Sequence, residues 1–178
     1  MANIDNTDPN NSVGYWLFYT QRCVAYAFAE TMRAHCIERG KPYVVTPPQW
    51  GVLSLLRIKD GLTVGAVSQQ RGVDAPTVTG IIKRLEQAEL VERRHDREDR
   101  RLVKVYLTDE GQEIVQSLAP AIQAFNDAML SDFVDGEEQM LQAVLQRIIV
   151  NVADERLGTG DRFKLLPEHI IRQEYMFE

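Results

Sequence analysis

Residues 90–108 read LVERRHDREDRRLVKVYLT, and the alternation of charge and apolar character within them decides the fold. Two β-patterned runs bracket a polar loop. Leu90-Val91 opens the first, and in the second Val103, Val105 and Leu107 alternate with Lys104 and Tyr106. Between Arg93 and Lys104 six cations (Arg93, Arg94, Arg97, Arg100, Arg101, Lys104) stand against three anions (Asp96, Glu98, Asp99), a net of +3. The whole chain nets −6, so the remainder carries −9. A basic hairpin on an acidic chain is a local electrostatic device, since clustering of charge matters as well as its total. Its position directly after an amphipathic helix reads as the wing of a winged helix-turn-helix.

Upstream of the hairpin, Asp74 is placed to cap a helix with Pro76 in its first turn, and Val78, Ile81, Ile82 and Leu85 give that helix one apolar face. A shorter helix precedes it, capped by Thr63, lined by Val64 and Val67, and stopped by Gly72. Helix, short turn and second helix make a helix-turn-helix. Further back, Thr46-Pro47-Pro48-Gln49 is a capping box opening a helix with Trp50, Val52, Leu53, Leu55 and Leu56 on its apolar side, and Asp60-Gly61 is a turn. Ser12 to Arg39 reads as one long helix, with Leu17, Val24, Phe28, Thr31 and His35 on one face and Gly40 and Pro42 ending it.

Downstream, Thr108 caps a helix predicted to reach about Phe133. Its residues Val115, Leu118, Ile122, Phe125 and Met129 form a seam suited to another helix, and Pro120 is expected to kink it. Asp135 and Glu138 suggest a further cap, before a helix over residues 136–155 whose apolar stripe is too wide for a single neighbour. The tail, residues 161–178, is apolar enough to dock on the body or on a second subunit. The expected class is mainly α with a small β-hairpin wing: a winged helix-turn-helix over residues 46–108, a helical dimerisation domain from 12–45 and 109–155, and a docked extension over 156–178.

Composition narrows the function. In 178 residues, 44% hydrophobic and 26% charged content is ordinary for a globular chain. No apolar run approaches the roughly 20 residues of a membrane span, and MANIDNTDPNNS resembles neither a signal nor a transit peptide, so a cytoplasmic protein without a membrane partner is expected. His35, His95 and His169 are scattered without metal-ligand spacing. With no Gly-rich phosphate loop, nucleophile elbow or paired-cysteine motif, neither an enzyme nor a metal or cofactor site is expected. Cys23 and Cys36 fall on one helix thirteen residues apart. That is about 20 Å, too far to pair within the helix. They read as reduced packing residues, with a redox-sensing thiol or an intersubunit bond as the alternative.

Removing the apolar face of the helix after Asp74 leaves Ala75, Pro76, Thr77, Thr79, Gly80, Lys83 and Arg84 outward. In a major groove, Thr77 and Thr79 can hydrogen-bond base edges and set their methyls on thymine methyls, while Pro76 offers apolar contact only. Lys83 and Arg84 suit phosphates, and small residues at 75 and 80 permit close approach. Arg97 and Arg100 suit the wing tip, because a narrow minor groove concentrates negative potential. Arg101 either joins them or is held by Asp99, stiffening the loop. The competing reading is an ordinary amphipathic helix beside a solvated, sign-alternating hairpin.

The long first helix has a second face, Tyr15, Tyr19, Arg22, Tyr26 and Arg33. Tyrosine rings with a guanidinium suit a small aromatic carboxylate, the rings taking its body and the arginine its charge; Trp50 joins this candidate ligand set. Dimer contacts or a partly exposed face are the alternative for these residues.

The chain resembles the MarR (multiple antibiotic resistance regulator) family over roughly residues 13–152. The resemblance lies in the wing pattern Asp99, any residue, Arg101, six residues, Thr108, in the segment DAPTVTGIIKRLEQAELVERR, and in the helix after LTDEG. It implies a homodimer with interlocked terminal helices, a winged helix-turn-helix on each subunit, and binding of a palindromic double-stranded operator. It also implies release by a phenolic or aromatic acid held between the dimerisation helices and the winged domain, usually with a repressor's role. Asp99 and Arg101 would have a structural part in the wing. Some family members sense oxidants through a cysteine near the start of the first helix; that position falls near Gly14 here, with Cys23 about two turns on. A thiol-based regulator of the same fold is therefore the alternative function.

Overall fold

A computed structural model describes residues 12–153. The leader, and the expectations for residues 154–178 (the end of the last helix, the docked tail and His169), lie outside the described residues. The elements run α1 (Val13–Glu38), α2 (Pro47–Ile58), β1 (Leu62–Thr63), α3 (Val64–Arg71), α4 (Ala75–Gln87), β2 (Val91–His95), β3 (Val103–Leu107), α5 (Asp109–Met129) and α6 (Glu137–Ala153). The protein is mainly helical with a small antiparallel sheet, as expected.

Local signals set most boundaries. Gln49 Oε1 accepts from the Thr46 N–H at 2.9 Å and from its hydroxyl at 2.8 Å, opening α2. Thr63 Oγ1 accepts from the Ala66 N–H at 3.2 Å, and Thr108 Oγ1 from the Gly111 N–H at 2.9 Å. Gly72, at φ +60°, ends α3 in the left-handed region that glycine tolerates best. Two boundaries differ from expectation. α5 stops at Met129, not near Phe133, because the following N–H groups of Ser131 and Phe133 turn to the nearer carbonyls of Ala128 and Leu130. At the start of α6 it is Glu137 that bonds the preceding backbone, its carboxylate accepting from the Val134 N–H at 3.0 Å. α5 continues through Pro120, which lies on its exposed side.

The sheet order is β1-β3-β2, all antiparallel. Val91 pairs with Leu107 and His95 with Val103, while the two-residue β1 sets Leu62 against Val105. Asp60 Oδ1 accepts from the Leu107 N–H at 3.0 Å and ties the turn before β1 to the sheet.

One core joins these parts. Val52, Leu53 and Leu56 of α2, Val67 of α3, Val78, Ile82 and Leu85 of α4, Val105 of β3 and Ile114, Val115 and Leu118 of α5 are all buried, with Met32 and Cys36 from the end of α1. Leu17, Val24, Phe28, Thr31 and His35 are half-buried, so the expected face of α1 points inward. Phe28 meets Phe125 of α5 at 5.4 Å between centroids. A polar strap closes the same junction: Arg39 to Glu113 at 3.2 Å, Lys41 to Glu110 at 2.9 Å and to Glu113, Tyr43 Oη to Glu110, and His35 to Ser117 at 3.2 Å. Burial, then the Glu110 carboxylate, push the Tyr43 hydroxyl well above its usual range.

Burial fades toward both ends of the described chain. Val13, Trp16, Phe18, Tyr19 and Tyr26 of α1 are exposed, as are Met129 at the end of the α5 seam, Phe133 and Val134 beyond α5, and Met140 and Leu141 of α6. None of residues 137–152 of α6 is buried.

Candidate nucleic-acid interface

The turn before α4 is closed by Ser68, whose hydroxyl donates to the Val73 carbonyl at 2.5 Å while the Val73 N–H donates to the Ser68 carbonyl at 3.2 Å. Asp74 then caps α4. Its Oδ1 accepts from the Thr77 N–H at 2.9 Å and its Oδ2 from the Thr77 hydroxyl at 2.7 Å, holding the carboxyl below its usual range. With Val78, Ile81, Ile82 and Leu85 buried, Pro76, Thr77, Thr79, Lys83 and Arg84 are all exposed along one side. Arg84 also borders a cavity of about 780 Å³ shared with Lys41, Tyr43, Gln87 and Glu110. Arg93 of β2 reaches Glu86 of α4 at 3.5 Å and links wing to helix.

The hairpin loop is organised by its acids. Asp96 Oδ1 accepts from the Glu98 and Asp99 N–H groups, both at 2.9 Å, and its Oδ2 pairs with Lys104 Nζ at 2.5 Å. Asp99 Oδ1 accepts from the Arg101 N–H at 2.9 Å, so the contact between these two residues runs through the backbone. His95 Nδ1 lies 2.9 Å from the Arg100 carbonyl oxygen. The wing cations divide accordingly. Arg93, Arg94 and Lys104 pair with Glu86, Glu92 and Asp96, and Arg94 also lies 5.2 Å from the Tyr106 ring centroid. Among the described residues, the exposed side chains of Arg97, Arg100 and Arg101 have no carboxylate partner.

The Lys104 ammonium, followed by the two backbone N–H groups, holds the Asp96 carboxyl down at about 2. A depressed carboxyl contributes order above its unfolded pKa, about 4, and loses it as pH falls through the folded value. The wing is therefore expected to stay ordered from neutral pH to about 4 and to loosen as pH approaches 2. Asp96→Ala should produce the loosened loop at pH 7, read as faster amide exchange at Glu98 and Asp99. Unchanged exchange would show that the strands alone hold the loop.

The proposed ligand residues do not converge on one place. Tyr15 and Tyr19 meet at 4.6 Å between centroids, and the Arg22 guanidinium lies 5.5 Å from the Phe18 ring centroid. Tyr26 is 72% exposed, and Arg33 pairs with Glu30 at 2.8 Å. Trp50 lines a cavity of about 500 Å³ with Phe28 of α1, Arg71 of α3 and Val78 and Ile81 of α4, a lining that does not include the tyrosines or arginines of α1. Sequence reasoning missed Arg71, whose signal is weak: it is the last residue of α3, before Gly72. Its Nη2 lies 2.3 Å from where a Cβ on Gly51 would stand, so the absent side chain at 51 makes room for the guanidinium. No described carboxylate pairs with it.

Among the described residues no cluster of histidine, cysteine or acidic residues is arranged to hold a metal, and no helix is long and apolar enough to cross a membrane. Cys23 is exposed and Cys36 buried, both as free thiols.

A two-helix unit with an outward polar face, followed by a basic hairpin whose tip cations have no carboxylate partner among the described residues, defines a winged helix-turn-helix DNA-binding protein. Comparison with known proteins agrees. The model of the MarR family matches residues 45–102. An uncharacterised HTH-type transcriptional regulator of Bacillus subtilis (strain 168), YsmB, is 33% identical over 106 residues, 60% of this chain and 73% of that one. The HTH-type transcriptional repressor MdtR of the same organism is 32% identical over 117 residues, 66% of this chain and 74% of that one. Among solved structures, Bordetella bronchiseptica BpsR, whose DNA binding is regulated by 6-hydroxynicotinic acid, is 26% identical with a TM-score of 0.64, covering 76% of this chain and 97% of that one. The chain belongs to the MarR family and is a DNA-binding transcriptional regulator.

Proposed function

We propose that this protein is a ligand-responsive repressor. As a homodimer it binds a palindromic operator through residues 46–108 of each subunit and leaves it when a small aromatic or phenolic acid binds. One observation carries the DNA reading: the loop acids Asp96 and Asp99 are engaged inside the wing while Arg97, Arg100 and Arg101 have no carboxylate partner among the described residues and can meet phosphate. α4 offers Pro76, Thr77 and Thr79 toward base edges with Lys83 and Arg84 toward the backbone. The exposed apolar residues of α1 and α6 suit a second copy, which gives 12–45 and 109–155 their dimerising role. A repressor among the relatives supports repression. A gel shift on the DNA upstream of the protein's own gene, at physiological salt, is the test. A monomeric protein, or one that ignores DNA even at low ionic strength, would overturn the proposal.

Gly80 separates fold from function. A Cβ there meets only Arg84 Nη2, at 3.8 Å, so Gly80→Ala fits the helix and should raise stability by about 0.5–1 kcal/mol. A bulkier Gly80→Leu should fold equally well and weaken operator binding at least tenfold, because it holds α4 off the groove. Equal affinity by fluorescence anisotropy would remove Gly80 from the interface.

The effector is best placed in the cavity beside Trp50. Its volume of about 500 Å³ suits a small aromatic acid, Trp50 and Phe28 can flank a ring, and Arg71 can take a carboxylate. Val78 and Ile81 line the same wall, so an occupant presses on α4. With 6-hydroxynicotinic acid and hydroxybenzoates as probes, Arg71→Ala should bind the operator normally but lose at least tenfold in ligand-induced release, and Arg22→Ala should keep it. The opposite pattern would return the site to the tyrosine face of α1. The thiol-sensing alternative rests on the exposure of Cys23; Cys23→Ser with unaltered response to peroxide would dismiss it.

A further inference from the structure

The two threonines on the outward face of α4 have already donated their protons. Thr77 Oγ1 donates to Asp74 Oδ2 at 2.7 Å, and Thr79 Oγ1 donates to the Ala75 carbonyl oxygen at 2.8 Å. A hydroxyl has one proton and two acceptor lone pairs, so each side chain now offers a partner only an acceptor and a methyl group. The backbone beside them has the same polarity. Pro76 has no N–H, the Thr77 N–H donates to Asp74 Oδ1 at 2.9 Å, and the Val78 N–H donates to the Asp74 carbonyl at 3.0 Å. The side chains of Ala75 and Pro76 add carbon alone, and the backbone N–H of Ala75 stands at the first helical position. The next cationic donors on this face, Lys83 and Arg84, stand a full turn beyond Thr79.

Resting on the reading of α4 as the helix that meets base edges, we infer that the Thr77–Thr79 face recognises A·T pairs and excludes guanine. Two residues apart, Thr77 and Thr79 lie about 160° apart around the helix and flank Ala75 and Pro76, so each reads its own base pair: the adenine N6 amino group meets that threonine's oxygen, and the thymine methyl meets its methyl and the carbons of Ala75 or Pro76 beside it. Guanine presents only the acceptors N7 and O6 in the major groove. These would face threonine oxygens and the Asp74 carboxylate with no side-chain donor between them. Cytosine offers an amino group but no methyl, and it brings guanine's O6 with it. Only an A·T pair meets both halves of this surface. Asp74 is a positioning residue: by accepting the Thr77 proton it fixes the polarity of the face.

Selection from a random duplex pool with the full chain tests this. The wild type is expected to enrich a motif with A·T pairs at positions where Thr77→Val or Thr79→Val, which keep the methyl and lose the oxygen, relax the preference. Replacing that adenine by purine, which lacks the amino group, should weaken the wild type roughly three- to tenfold and leave the valine variant unaffected. Asp74→Asn caps the helix as well as aspartate but leaves the Thr77 proton free to donate, so it should newly tolerate guanine there. Guanine at a position relaxed by either valine variant, or wild-type motif and affinity in both, overturns the inference while leaving the regulator intact. Enrichment of no sequence by the wild type overturns the operator reading itself, and the inference with it.

Discussion

Replacing Arg97, Arg100 and Arg101 together by alanine is expected to abolish operator binding at physiological salt while leaving the fold untouched. All three side chains are exposed, and none has a carboxylate partner among the described residues. Their removal should shift stability by no more than about 0.5 kcal/mol, as for other surface changes. Binding differs because each cation that neutralises a phosphate releases counterions, and log K against log salt steepens by about 0.9 per phosphate met. Removing all three cations from one winged domain flattens that slope by about 2.7, and near 0.15 M salt weakens binding on the order of a hundredfold. If two domains grip one operator, the effect is roughly the square of that. Arg97→Ala alone should lower the slope by close to one unit. Arg94→Ala is the control: its guanidinium is held by Glu92 and lies near the Tyr106 ring, so its slope should change less. Anisotropy titrations at four salt concentrations measure all of these. A triple variant with the wild-type slope would mean the wing does not touch DNA.

Gly111→Ala should be the most destabilising glycine-to-alanine change among the described residues. α5 crosses the start of β2 at this residue, and a Cβ would stand 2.0 Å from the Leu90 carbonyl oxygen, 3.0 Å from its carbon and 3.3 Å from Leu107 Cδ2. Two of these atoms are backbone and cannot swing aside as the tip of a long side chain would. The same Leu90 oxygen accepts from the Thr108 N–H at 3.2 Å, so lifting α5 also strains its own cap. Overpacking against fixed atoms costs about 3 kcal/mol, a large share of the 5–15 kcal/mol that holds a typical domain together. The melting temperature should fall by about 10 °C in a domain of this size. DNA affinity should fall with it, because α5 and the wing share this junction. An unchanged melting temperature would show that the helix shifts freely and that the close approach has no energetic weight.

Much of the architecture was legible along the chain because its signals are short-ranged. A cap such as Asp74 or Thr108 acts on an N–H three residues on, and an apolar stripe needs only the helical period. The basic wing was likewise visible as a cluster of six cations. Adjacency alone did not reveal which cations would be free. Arg94 and Arg97 look equivalent in sequence, yet one lies beside Glu92 on a strand while the other sits at a turn where Asp96 and Asp99 are held by backbone N–H groups and Lys104. The ligand face expected on α1 depends on the same kind of information. Helical spacing aligned Tyr15, Tyr19, Arg22, Tyr26 and Arg33, but it carried no information about what stood opposite them.

The sequence by itself determined the order of the helices and of the two wing strands, most helix caps and the charge contrast between wing and body, because these depend on neighbours within a turn or two. Only the tertiary structure decided that Leu62-Thr63 is a strand, since two residues have no period and pair solely because β3 is there to bond them. Only it brought Arg71 against Gly51 beside Trp50, and only it made Gly111 indispensable to the α5 crossing. Each depends on distances between segments far apart in the chain, which packing of the common core sets and no local pattern encodes.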